Sequence, residues 1–134
     1  MNRPLLDTHI WLWWMFRSGE LASAVLERLD RMAAGGRPLL SAISLWETAM
    51  LVERGRVKLE RDLGSWLRAA AAPECVELVP ITPDIAAESA LLPATLHRDP
   101  ADRLLIATAR VMSCPVLTRD ERILESGLVK LWTS

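Results

Sequence analysis

Four carboxylates, Asp7, Glu47, Asp102 and Asp120, lie at or near the junctions between apolar runs and helical stretches. Asp7 ends the first apolar run, Glu47 falls in the turn after the second, and Asp120 lies two residues beyond Thr118. Asp102 opens the helical stretch that leads into the run ending at Thr118. Carboxylates gathered in one cleft raise each other's pKa and destabilise a fold, a cost that a divalent cation removes. Oxygen-only donors, without the Cys or His that zinc prefers, point to Mg²⁺ or Mn²⁺. Such an ion polarises a phosphoryl oxygen and acidifies bound water, so the chemistry suggested is phosphodiester hydrolysis.

Each acid also fits a purely structural role. Asp7 can cap a helix starting at Thr8, Ser44 with Glu47 fits a capping box, and Thr118 with Glu121 fits another that encloses Asp120. The run Asp99-Pro100-Ala101-Asp102 reads as an N-cap, a proline at the first helical position and a second acid favoured by the helix dipole. Convergence of the four on one rim separates the two readings, and that depends on the elements between them.

Short apolar runs at residues 4–7, 38–43, 76–81 and 115–118 read as buried strands, and 128–132 can close the set. Helical stretches occupy residues 21–33, 45–54, 63–72, 83–91 and 100–112, with glycine pairs and prolines at the junctions. Strands alternating with helices imply a parallel sheet covered on both faces. Ligand sites in such sheets lie at the carboxyl ends of the strands, which is where three of the acids fall. No Ser-His-Asp, Walker or GxGxxG pattern competes with them. His9 and His97 stand close to the acids and read as hydrogen-bonded neighbours rather than ligands.

The 134 residues, 15.0 kDa, fit a single domain over residues 1–134. With 51% hydrophobic and 25% charged residues and a net charge of −1, the composition excludes a disordered polyelectrolyte. The longest apolar stretch, residues 5–16, is interrupted by Asp7 and His9 and is too short to span a bilayer, so a soluble cytoplasmic protein with no membrane partner is expected. Cys75 and Cys114 form no CxxC pair and read as buried reduced thiols. Setting the four acids aside leaves 13 acids against 16 bases, a surface that tolerates a phosphate backbone. Arg103 and Arg119 adjoin two of the acids, and Arg54, Arg56 and Lys58 follow Glu47, where they can hold phosphates. Of the six tryptophans, Trp13 and Trp14 follow the Asp7 turn and are the candidates for base stacking; the rest read as core or subunit contacts.

Four segments together, LLDTHIWLWW at 5–14, SAISLWETAMLVERGRVKL at 41–59, HRDPADRLLIATA at 97–109 and VLTRDERIL at 116–124, resemble the PIN-domain ribonucleases. The likeness is stronger still to the VapC-type toxins of bacterial type II toxin-antitoxin systems. It implies a three-layer α/β/α sandwich around a mostly parallel sheet, usually dimeric, and a cognate antitoxin whose carboxyl-terminal segment reaches the active site. By the same resemblance Asp7, Glu47, Asp102 and Asp120 bind Mg²⁺ or Mn²⁺ and cleave RNA, Thr118 is the hydroxyl residue beside the last acid, and Asp99 caps the helix beside the metal site. The alternative is a catalytically silent PIN module that acts by binding a protein. A haloacid-dehalogenase-like phosphotransferase needs a second Asp where His9 stands, and a receiver domain needs a lysine that neither Lys58 nor Lys130 supplies.

Overall fold

Leu5 and Leu6 point to opposite faces of one strand, and that alternation builds two separate cores. In the computed structural model, which describes residues 3–33 and 35–132, β1 (Leu5–Leu6), β2 (Leu39–Ser41), β3 (Glu77–Val79) and β4 (Val116–Leu117) form one sheet in the order β3-β2-β1-β4. Every pairing is parallel, Leu5 aligning with Leu39 on one side and with Val116 on the other. Parallel neighbours need crossovers, and the crossovers here are helical. They comprise α1 (Thr8–Phe16), α2 (Ser23–Ala33), α3 (Ala42–Glu53), α4 (Leu63–Ala70), α5 (Pro83–Leu91) and α6 (Pro100–Met112), and α7 (Glu121–Ser126) follows β4.

On one face Leu5, Leu39, Val79 and Val116 meet Ile85 of α5, Leu105 and Ile106 of α6 and Ile123 of α7. On the other, Leu6 and Leu40 meet Ile10, Trp11 and Trp14 of α1, Leu29 of α2 and Ala70 of α4. The result is the expected three-layer α/β/α sandwich. Each fully buried aliphatic side chain contributes about 1.5–3 kcal/mol, so the two leucines of β1 anchor both layers. Helix α1 is apolar on nearly every side because it is wedged within its layer, with Trp11 fully buried and its indole N–H donating to the Ala70 carbonyl at 3.1 Å.

Several local expectations change. The run 128–132 contributes a single parallel bridge, Leu131 to Val116, outside β4 instead of a full strand. Helix α3 begins three residues earlier than expected because Ser41, not Ser44, caps it, its hydroxyl accepting from the Ile43 N–H at 3.2 Å. Ser44 is fully buried and bonds across to α1. At α7 the cap is Asp120 itself; Thr118 accepts the Asp120 N–H and is not available for capping. Cys75 and Cys114 are free and half-buried. Among the tryptophans Trp11, Trp14 and Trp132 are buried, whereas Trp46 is more than half exposed. No helix among the described residues is long and apolar enough to cross a membrane.

Candidate active site

The β1 ladder continues through residue 7, whose N–H donates to the Leu117 carbonyl at 3.0 Å and fixes Asp7 at the carboxyl end of the sheet. Its carboxylate is buried and divided: Oδ1 accepts from the Thr8 N–H at 2.8 Å, capping α1, and Oδ2 accepts from the Thr118 hydroxyl at 2.6 Å. Capping and site construction are therefore one arrangement here. His9 Nδ1 lies 3.7 Å from the same Oδ2.

The early start of α3 puts Glu47 in its second turn, one turn beyond Ser44 and on the same side. Thr8, in the first turn of α1, donates its hydroxyl to Glu47 Oε1 at 2.5 Å and lies 2.8 Å from the Ser44 hydroxyl. Burial pushes the Glu47 pKa up; the Thr8 bond opposes this, and the charges of Asp7, Asp102 and Asp99 add to the rise.

Asp99 caps α6, accepting from the N–H groups of Ala101 and Asp102 at 3.0 and 3.3 Å, with Pro100 at the first helical position as the sequence implies. That cap sets Asp102 in the first turn, buried, with its Oδ2 2.7 Å from His97 Nε2. The Asp102 pKa is also raised, by burial first, against the His97 bond, and further by Asp99, Asp7 and Asp120. Asp120 behaves oppositely: burial raises it, but the Arg122 N–H at 2.8 Å and the Arg122 guanidinium outweigh burial and lower it.

The four acids thus come from four elements to one rim, linked through Thr8, Thr118 and Arg122. Sequence patterns do not reveal Arg122, whose Nη2 lies 3.5 Å from both Asp102 Oδ2 and Asp120 Oδ2. The available signal is a cation two residues past an acid at a helix start, which alone says nothing about Asp102. Among the described residues the acids do not close into a group of three or more that could hold a metal ion, and the Arg122 guanidinium stands between two of them, Asp102 and Asp120. An all-oxygen donor set, with Glu47 and Asp102 raised by burial and by neighbouring acids, nevertheless fits a hard divalent cation.

Of the two arginines read as phosphate contacts, Arg119 is exposed at the rim, 5.4 Å over the Trp13 ring, with one donor on the Glu20 carbonyl at 3.1 Å. Arg103 is turned inward instead. Its guanidinium donates to the carbonyls of Ser89, Leu92, Leu96 and His97 at 3.2–3.4 Å, holding the α5–α6 connection. Those bonds engage a half-buried side chain that the sequence reading has holding phosphate.

A parallel sandwich with this acidic rim defines a class. The PIN domain family model matches residues 5–127, and the chain belongs to that family. Among curated relatives, Ribonuclease VapC22 of Mycobacterium tuberculosis (strain ATCC 25618 / H37Rv) is 38% identical over 126 residues, covering 92% of this chain and 91% of that protein. The fold is also that of VapBC2 from Rickettsia felis bound to a DNA fragment from its promoter, with a TM-score of 0.71, 15% identity and 96% of each chain covered. DNA-bound VapBC from Salmonella typhimurium gives a TM-score of 0.67 at 17% identity over 98% of each chain.

Proposed function

We propose that this protein is a metal-dependent endoribonuclease, the toxin of a toxin-antitoxin pair, that hydrolyses RNA phosphodiester bonds. The observation that supports the reading is geometric: Asp7, Glu47, Asp102 and Asp120 come from four separate elements and are tied together through Thr8, Thr118 and Arg122. The 38% identity to a ribonuclease supports the reaction class, and the VapBC fold likeness is consistent with an antitoxin partner.

Asp7, Glu47, Asp102 and Asp120 would hold Mg²⁺ or Mn²⁺. When bound, the ion supplies Lewis-acid polarisation of the phosphoryl oxygen and acidifies water. The chain's own part is positional. Thr118 and Thr8 aim the carboxylates of Asp7 and Glu47, His97 orients Asp102, and Arg119 at the rim is placed to hold substrate phosphate. In this reading the protein works in the cytoplasm as a homodimer inhibited by its cognate antitoxin.

The deciding experiment is cleavage of single-stranded RNA by the purified chain with Mn²⁺. Cleavage should vanish in excess EDTA and in a folded Asp7→Asn variant. Full activity in EDTA refutes metal dependence, and a folded wild type inert with Mn²⁺ leaves a binding module in place of an enzyme.

A further inference from the structure

Beside the acidic rim a cavity of about 430 Å³ opens between α1 and the segment following α3. This size lies within the roughly 300–1,000 Å³ of small-ligand pockets. One wall carries His9, Trp13 and Phe16; the other carries Val57 between two cations, Arg56 and Lys58. Phe16 is 40% exposed and stacked on Trp66 with ring centroids 5.3 Å apart, so its ring is held in place with apolar surface facing solvent. Trp13 is half-buried and steadied by His9, 5.0 Å away, and by the Arg119 guanidinium. Of the two tryptophans after the Asp7 turn, only Trp13 is available to a ligand, because Trp14 is buried with its indole N–H on Asp30.

Two features choose the occupant. Aromatic side chains on one wall with cations on the other match a nucleotide, whose base stacks while its phosphates pair; Arg56 and Lys58 are exposed and form no ion pair among the described residues. The cavity also adjoins the acids, since His9 lines it and stands 3.7 Å from Asp7. Resting on the nuclease reading, we propose that this cavity is a base subsite: an unpaired nucleotide next to the scissile phosphate stacks on Trp13 while Arg56 and Lys58 hold the flanking phosphates. Duplex RNA presents no free base face and does not enter.

The test is fluorescence-anisotropy binding of labelled single-stranded oligouridine and oligoadenosine to the full chain in EDTA at low salt, which separates binding from cleavage. Trp13→Leu keeps the apolar volume but lacks the indole face, and should weaken binding about tenfold or more, the loss of one base stack. The pair Arg56→Gln and Lys58→Gln should flatten the dependence of log affinity on log salt by roughly 1.4, as loss of two single-strand phosphate contacts requires. This exposed pair keeps the test decisive if Trp13→Leu does not fold. Photocrosslinking of iodouridine RNA to the wild type should label Trp13 or Phe16. Wild-type binding by both variants, crosslinks confined to other surfaces, or polyglutamate binding that depends equally on Trp13 would overturn the proposal, the last by giving the groove to an acidic peptide. Trp13-dependent RNA binding without Mn²⁺-dependent cleavage would sink the nuclease reading and leave the subsite standing.

Discussion

The Thr118 hydroxyl donates to Asp7 Oδ2 at 2.6 Å, joining residues 111 positions apart at the carboxyl ends of neighbouring strands β1 and β4. The Thr118 hydroxyl oxygen in turn accepts the Asp120 N–H at 3.0 Å, so one buried side chain sets the positions of two acids. Replacing it with valine keeps the shape but leaves a buried carboxylate oxygen and an N–H without this partner. Thr118→Val should cost about 1–3 kcal/mol in urea unfolding. Mn²⁺ affinity measured by calorimetry should fall about 10–100-fold, the usual scale for groups that orient ligands. Thr118→Ser, which restores the hydroxyl, should recover most of both.

Glu47 makes the fold less stable at neutral pH. Its folded pKa is raised by burial and by neighbouring acids, so the native state binds the proton more tightly than the unfolded chain does. The associated stability is fully present below the ordinary glutamate range and is lost as pH rises through the elevated folded value. Glu47→Gln keeps an acceptor for Thr8 and removes the charge. In EDTA at pH 7 it should raise Tm, and the gain should disappear as pH falls below the ordinary glutamate range. Saturating Mn²⁺ should reverse the order, because only the wild type keeps all four acids with which to gain stability from the ion.

Arg122 places a positive charge 3.5 Å from both Asp102 and Asp120. A divalent ion entering between those acids meets that charge, whose unfavourable effect on a doubly charged ion at about 4 Å is roughly 2 kcal/mol in a water-like medium and larger where the site is partly enclosed. Arg122→Gln should therefore bind Mn²⁺ at least about tenfold more tightly by calorimetry, and added salt should shrink the difference. Unchanged or weaker Mn²⁺ binding would mean that the guanidinium does not compete with the ion.

What the sequence made legible follows the range of each interaction. Asp7 and Asp99 sit at helix starts, and capping is written within three residues, so their positions are readable; at the third start the same local pattern points to Thr118, and the structure gives the cap to Asp120. Ser41 and Ser44 both satisfy that local pattern, however, and only the extent of β2 and the distant Thr8 choose between them, which is why the turn carrying Glu47 was misplaced. The two-sided burial of β1 follows from consecutive leucines, whereas the run 128–132 looks like a strand and pairs at one residue, because its partner is the edge of a two-residue strand. Arg122 reaches an acid 20 positions away, and no local spacing encodes that.

Arg103 shows the same limit and supports a last prediction. From sequence it is a cation beside Asp102; in the fold it serves four carbonyls along residues 89–97, the connection that delivers His97 to Asp102. A planar guanidinium can fork to several acceptors, which a lysine ammonium on a flexible stem cannot. Arg103→Lys should therefore fail to rescue Arg103→Ala, each losing about 1–3 kcal/mol of unfolding free energy because carbonyls in a half-buried connection go unpaired. Neither should change the salt slope of RNA binding in EDTA, since Arg103 would contribute no phosphate contact. A slope that fell by about 0.7 in both variants would return Arg103 to the RNA and would require the α5–α6 connection to open when substrate binds.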